Sequence, residues 1–318
     1  MDIRQIRYFI KIVECGSLSK AAEQLYIAQP SLTLQVQYLE TEFDTKLLIR
    51  SSQGVKPTEA GKRFYQQARA IIRQLENISQ EIKSGIGIET GSVVVGFPAP
   101  IALVLARPLF VRVQSKFPNI HLHIVENITG YLLELLVNGR LDLAVTVRDV
   151  EARGMSVQPL FDQDLYVYGN TGSALPENDI CPMRELHGIP MVLPSAFQES
   201  RLRINRVFAQ AGVDLNVIAD IDSVSTLLSI AEAGLACTIL PLSVASRCKK
   251  QKQRFRPRRI VNPDIQQTVS LCWPTQIPPS SASIAVHRTI IELVQELVKD
   301  DTIRGFRLRP VNHNVKES

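Results

Sequence analysis

Nowhere in the 318 residues do apolar side chains run uninterrupted for the roughly 20 positions that a membrane-crossing helix needs. The opening MDIRQIRYF has neither the apolar core nor the cleavage site of a secretory signal, so a cytoplasmic protein without a membrane partner is expected. Cysteine is sparse. Cys15, Cys181, Cys237, Cys248 and Cys272 are scattered, odd in number and form no C-x-x-C, which points to reduced thiols rather than a disulfide framework. His121 and His123 would share one face of a strand, but no Cys, Asp or Glu cluster completes a ligand set, so neither metal nor cofactor is expected. The chain also lacks a P-loop, a dinucleotide fingerprint, a G-x-S-x-G elbow and any recognisable pairing of nucleophile with base. A binding protein is therefore expected rather than an enzyme. The competing class is a solute-binding module or small enzyme carrying a fused dimerisation helix.

Against these absences stands one dense stretch, Gly16 to Glu40. Ser17 is a helix cap, Ala21 and Ala22 are small enough for close packing, and Leu18 and Leu25 are apolar anchors, so a short helix is predicted. After the break Tyr26-Ile27-Ala28 a second helix opens at Gln29-Pro30-Ser31, where the missing N–H of Pro30 is harmless in the first turn. Leu32, Val36 and Leu39 fall on one face at helical spacing, which leaves Gln29, Ser31, Thr33, Gln35 and Gln37 to point elsewhere. That polar face is uncharged and rich in amides and hydroxyls, the groups that hydrogen-bond base edges in a major groove.

The flanks extend the pattern. Ile3, Ile6, Phe9, Ile10 and Val13 form the apolar stripe of a supporting helix. Phe43, Leu47, Leu48 and Ile49 turn extended, Ser51-Ser52-Gln53-Gly54 supplies a turn, and Val55-Lys56-Pro57 returns, which predicts a two-stranded wing. Arg50 and Lys56 flank its turn, placed to meet phosphates or the minor groove and so to position the protein without reading sequence. Across Met1 to Gly61 the runs FIKIVECGSLSKAAEQL, AQPSLTLQVQYLE, LLIR and PTEAG resemble the DNA-binding domain of LysR-type transcriptional regulators. IVECGSLSKAAEQLYIAQPSLTLQVQYLE together with KLLIRSSQGVKPTEAGKRFY is most similar to the nitrogen assimilation control branch of that family. The resemblance implies a winged helix-turn-helix on double-stranded DNA, with Ser19, Gln29, Pro30, Ser31, Thr33, Gln35, Arg50 and Lys56 as candidate contacts and RNA polymerase as a further candidate partner.

Thr58 opens a long helix whose apolar positions Phe64, Ala68, Ile71, Leu75, Ile78 and Ile82 recur at alternating spacings of four and three. This is a heptad seam, and its natural partner is a second copy of itself. A dimer, or a tetramer built from dimers, would double the bases read and demand a site of matching two-fold symmetry.

Past Ser84-Gly85-Ile86-Gly87, read as a hinge, short β-branched runs alternate with helical stretches. They predict an α/β fold with a parallel sheet covered on both faces. DSVSTLLSIAEAGLACTILP is similar to the effector-binding domain of the same family, which implies two α/β subdomains of periplasmic-binding-protein type with crossings near residues 161–164 and 264–268. Ligands of open α/β sheets sit beyond the carboxyl ends of strands. The candidate effector residues are accordingly Pro98, Ala99, Pro100, Ile101, Thr129, Ser195, Ser200, Ser223, Ser225 and Thr226. The loop Phe97-Pro98-Ala99-Pro100-Ile101 has no hydroxyl, and its prolines remove two N–H donors, so weak binding of small carboxylates is expected.

The formal charge of +5 is concentrated in Arg247 to Arg259, whose eight basic residues include no acid among them; without them the balance is −3. A solvated helix end and loop is expected there rather than the main DNA contact. The predicted organisation is a winged helix-turn-helix over 1–58, a dimerisation helix and hinge over 59–89, the two-subdomain α/β domain over 90–300 and a polar tail over 301–318. The predicted function is sequence-specific binding to an interrupted inverted repeat, with an effector of undetermined identity.

Overall fold

A computed structural model describes residues 1–52, 54–84, 89–148, 154–170, 175–247, 255–299 and 305–309. Helix α1 (Ile3–Cys15) begins with a capping box, in which the Asp2 side chain accepts from Gln5 N and the Gln5 side chain accepts from Asp2 N. It packs on α2 (Leu18–Leu25) and α3 (Gln29–Glu42), with Ile6, Phe9, Ile12, Ala21, Leu32, Val36 and Leu39 in one core. Ile3, expected on the inner stripe, is exposed in the first turn, and Ile12 is buried instead. The wing is the antiparallel pair β1 (Leu48–Ser51) and β2 (Gly54–Pro57). Val55 N donates to Gly16 O at 2.8 Å, and a Cβ at Gly54 would lie 2.5 Å from that same oxygen. With φ +119 as well, only glycine fits there.

Helix α4 (Glu59–Ser84) starts against Thr58, whose hydroxyl donates to Lys46 O at 2.8 Å and accepts from Gly61 N at 2.9 Å. Of the segment read as a hinge, Ser84 is the last residue of α4, and residues 85–87 lie outside the described residues.

The larger domain contains β3 (Gly91–Phe97), α5 (Ala99–Lys116), β4 (Ile120–Glu126), α6 (Thr129–Val137), β5 (Leu143–Val147) and β6 (Met155–Asn170). Then come β7 (Ile180–Pro182), β8 (Met191–Leu193), α7 (Glu199–Ala211), β9 (Val217–Asp220), α8 (Val224–Glu232) and β10 (Thr238–Pro241). It closes with β11 (Phe255–Val261), β12 (Gln266–Pro274), α9 (Ser281–Lys299) and β13 (Phe306–Leu308). The main sheet runs β4-β3-β5-β12-β6-β11-β7, with β10 and β13 also paired to β6.

Strand β6 is the spine of this domain. From Met155 to Asp164 it pairs with β12, and from Leu165 to Asn170 it pairs with β10 and β11. The sequence pattern predicts a parallel sheet. The observed sheet is mixed, because β6 and β12 cross between the two subdomains in opposite directions, so each is antiparallel to its neighbours. The first subdomain buries Val93, Val95, Phe97, Leu109, Val145 and Val286; the second buries Val167, Ile204, Phe208 and Ile239.

Two further expectations are corrected. Part of the polar tail is structured: Phe306 on β13 stacks on Phe161 at 4.3 Å, burying an aromatic ring that a solvated tail would expose. Residues 301–304 and 310–318 lie outside the described residues. The basic run is only partly a loop. Residues 248–254 lie outside the described residues, but Arg256, Arg258 and Arg259 are on β11, and Arg258 is fully buried with its guanidinium donating to Gly169 O at 3.2 Å. Burial, and then the neighbouring Arg256 charge, hold its pKa below the ordinary arginine value. Arg259 pairs with Asp264 at 2.8 Å. These arginines hold the second subdomain together.

Candidate nucleic-acid interface and effector cleft

Ser17 caps α2 by accepting from Lys20 N, and Tyr26 ends it in the left-handed region at φ 56. The chain then turns into α3, with Pro30 in its first turn. Gln29, Pro30, Ser31 and Gln37 are exposed, as the polar-face reading requires. Ser19 Oγ donates to Gln29 Oε1 at 2.9 Å, so the two helices present one joined polar surface. Thr33 and Gln35 are half-buried. Gln35 Oε1 accepts from Gln5 Nε2 at 3.0 Å, which makes this residue a tie between α3 and α1 rather than a free reader of bases.

Sequence reasoning missed the apolar part of the same surface. Tyr26 is 95% exposed, and Leu34 and Tyr38 are exposed beside the polar positions. The signal was present in the helical spacing of Ser31, Leu34 and Tyr38, which share one face three and four residues apart. Such side chains suit contact with thymine methyl groups and sugars.

Arg50 and Lys56 are both exposed on the wing, one on each strand, with Ile49 opposite Lys56 and Arg50 opposite Val55. Glu40 fixes the wing to α3, a role no sequence pattern announced. Its carboxylate is almost fully buried and accepts from Leu47 N at 2.9 Å, Leu48 N at 3.2 Å and Lys46 Nζ at 2.7 Å. Burial works to raise its pKa, but the Lys46 bond and the two backbone donors outweigh it and hold the carboxyl below its ordinary value.

The heptad seam of α4 divides into two. Phe64 packs edge-on against Phe9 with ring centroids 4.9 Å apart, Ala68 is buried, and Leu75 is partly buried against the same N-terminal core. Phe64 and Ala68 therefore face their own domain, not a partner, because α1 lies against this part of the helix. Ile71, Ile78 and Ile82 are exposed, at 42%, 49% and 78%. On the opposite flank, Arg73 of α4 forms an ion pair with Asp142, which also accepts from Val94 N at 2.7 Å. Burial, then the Arg69 charge, pull the Arg73 pKa down to about 10. Gln66 reaches Asn138 Oδ1 at 3.1 Å and Gln74 reaches Pro278 O at 2.9 Å. The linker helix is thereby tied to the first α/β subdomain by polar side chains.

Between the subdomains lies a cleft of about 340 Å³. Of the ten candidate effector residues, Pro98, Ala99, Pro100, Ile101, Thr129 and Ser200 line it. Ser195, Ser223, Ser225 and Thr226 do not. Ser223 is the cap of α8, where its Oγ accepts from Thr226 N at 3.4 Å and meets Ser225 Oγ and Thr226 Oγ1 at 3.0 Å, so these hydroxyls serve the helix end. Ser195 donates through N and Oγ to Asp222 at 2.9 Å, and Gln198 Nε2 joins them at 2.6 Å. The Ser195 N–H above all, helped by the Ser195 hydroxyl and Gln198, outweighs the opposing effect of burial and holds the Asp222 carboxyl below the usual range. The cleft lining missed from sequence includes Glu126, Arg148, Gln163, Glu199 and Gln267, of which Gln163 and Gln267 are carried there by the crossing strands.

His121 and His123 are both exposed on β4. Among the described residues, no group of three or more His, Cys, Asp or Glu is arranged to hold a metal ion. No described helix is long and apolar enough to cross a membrane. Cys181, Cys237 and Cys272 are buried, and burial pushes the Cys181 thiol up to about 12. Cys248 lies outside the described residues.

A winged helix-turn-helix joined by one long helix to a two-subdomain α/β domain with a central cleft defines the architecture of a DNA-binding protein. Residues 3–62 match the family of bacterial regulatory helix-turn-helix proteins of the lysR type, and residues 87–296 match the LysR substrate binding domain. The chain belongs to the LysR family of DNA-binding transcriptional regulators. It is 35% identical to the nitrogen assimilation regulatory protein nac of Escherichia coli (strain K12), over 94% of this chain and 97% of that one. The corresponding protein of Klebsiella aerogenes is 33% identical over 92% and 95%. In fold, the chain is similar to a full-length OxyR variant from Pseudomonas aeruginosa, with TM-score 0.73 and 20% identity over 93% of this chain and 95% of that one. It is also similar to full-length CbnR complexed with its target DNA, with TM-score 0.66 and 20% identity over 93% and 99%.

Proposed function

We propose that this regulator binds an interrupted inverted repeat in double-stranded DNA, as a dimer or as a tetramer built from dimers, and adjusts transcription there in contact with RNA polymerase. The observation that carries the reading is the uncovered face of α3, where Gln29, Ser31, Leu34, Gln37 and Tyr38 stand free of the protein core beside the cations of the wing. Base-edge contacts from this face specify the site, and Arg50 and Lys56 position the domain on phosphates. The dimer forms through the exposed part of the heptad seam, Ile71, Ile78 and Ile82, with Leu75 at its margin. Residues 1–58 read DNA, 59–89 dimerise, and 90–300 carry the effector cleft, with subdomain crossings at 161–164 and 264–268. The named relatives support control of nitrogen assimilation as the process, the cytoplasm as the location, and a function without catalysis.

Gel retardation on the chain's own promoter region tests the reading. Specific, salt-sensitive retardation is expected, and its absence on any DNA would favour a solute-binding module instead. Sedimentation of Ile78→Asp tests the seam: dissociation is expected, and an unchanged mass would exclude these isoleucines from the interface.

A further inference from the structure

At the floor of the cleft the two crossing strands run side by side, and Gln163 on β6 stands opposite Gln267 on β12 as a register pair. Directly opposed residues of an antiparallel pair project to the same face with their side chains in reach of each other. Gln163 is 1% exposed, Gln267 is 6% exposed, and both line the cleft. Among the described residues, Gln163 Nε2, Gln163 Oε1 and Gln267 Oε1 have no hydrogen-bond partner. Buried side-chain amides are nearly always satisfied, since desolvation without a replacement bond is unfavourable. Here two neighbouring amides leave three buried hydrogen-bonding atoms unpaired beside one cavity. Nearby inward positions on the same strands, Phe161, Leu165, Val269 and Leu271, are apolar, so the fold does not require amides there.

The open atoms are two carbonyl acceptors and one NH₂ donor. A carboxylate brings acceptors only and would set its lone pairs against both carbonyl oxygens. The surrounding charge disfavours it further, since Glu126, Glu199 and Asp222 line the cleft with Arg148 as the basic member. Pro98 and Pro100, at the start of α5, withhold two more donors. A primary amide or a urea matches the set: its two N–H bonds serve Gln163 Oε1 and Gln267 Oε1, and its carbonyl accepts from Gln163 Nε2. We infer that the cleft takes a small neutral molecule bearing a carboxamide or urea group, with Gln163 and Gln267 as the residues that select it. This inference rests on the reading of the cleft as an effector site.

The test uses the full chain and three C4 probes of matched length: butanediamide, butanedioate and 1,4-diaminobutane, each titrated calorimetrically into wild type and Gln163→Leu. Saturable heat with the diamide is expected, none with the dioate, and weakening by about tenfold or more in the variant, the worth of one hydrogen bond in a dry site. The unliganded Gln163→Leu protein is expected to melt higher than wild type, because an unpaired amide is gone; an amide serving the fold would make it melt lower. Equal or tighter binding of the dioate or the diamine, no saturable heat with the diamide, or a lower melting point of the variant overturns the assignment. Gel retardation with and without the diamide separates the two readings: binding that leaves retardation unchanged upholds the ligand class and sinks the effector role of the cleft.

Discussion

Helix α3 and the interior of the molecule use the same polar groups in opposite surroundings. On α3, Gln29 and Gln37 stand in water, while Glu40 and the cleft amides are buried and the Arg73–Asp142 pair is largely shielded from solvent. In water an amide keeps its hydrogen bonds until DNA replaces them, so it is free to carry specificity without burdening the fold. Inside, a polar group that joins two elements is answered by a partner of fixed geometry, and removing one side of the pair leaves the other stranded. Polar residues that read a ligand from the surface therefore tolerate substitution in the free protein, and those that join elements do not.

The sharpest test of that contrast is the junction between linker helix and α/β domain. Asp142→Ala strands the Arg73 guanidinium in a buried site and removes the acceptor of Val94 N; a loss of about 3–5 kcal/mol in denaturant unfolding is expected. Replacing both Arg73 and Asp142 by leucine should recover part of this, and a double variant as unstable as the single one would show that the ion pair is not what the site needs.

Glu40→Gln comes next, with about 1–3 kcal/mol expected from two weakened backbone bonds and the absence of a charge pair. Because the folded-state pKa lies below the ordinary 4.5, the carboxylate's extra contribution is full above about pH 4.5 and is lost as pH falls through the folded value. The stability gap between wild type and variant should accordingly close on acidification. A gap that widens toward low pH would contradict the assigned shift.

On the surface side, Gln29→Ala and Ser31→Ala should change stability by no more than about 0.5 kcal/mol. Each should nonetheless lower discrimination between specific and random DNA by on the order of 1–3 kcal/mol for every good base-edge interaction its side chain makes. Gln35→Ala, tied to Gln5, should behave in the reverse sense, with a measurable stability loss and little change in discrimination. The smallest expected effect is that of Arg50→Ala: binding weakens alike on all sequences, and the salt dependence flattens by about one unit of slope.

The N-terminal domain was readable because its constraints are local. Caps, turn residues and helical spacing within a few positions of one another set Ser17, Pro30, Leu32, Val36, Leu39 and Thr58 in their places, and the structure agrees on each. The division of the α4 seam was not readable, since Phe64 and Ile71 occupy equivalent heptad positions and differ only in whether α1 covers them. The cleft was half readable. Loops at the carboxyl ends of strands follow from α/β topology, which led to Pro98 and Ser200, but the same rule led to Ser223, Ser225 and Thr226, whose hydroxyls instead serve a helix end.

By itself, then, the order of residues determined the helix-turn-helix, the wing, the long amphipathic helix, the alternation of strands and helices, and the family. All of these are written in periodicities and turn chemistry that act over a few residues. Only the tertiary structure decided that Gln163 meets Gln267, that Arg73 meets Asp142, and that Arg258 of β11 is buried rather than solvated. These pairings join positions far apart in the chain, and nothing in the spacing of a glutamine or an arginine tells which strand will run beside it. Strand register sets that, and register is a property of the whole packed sheet.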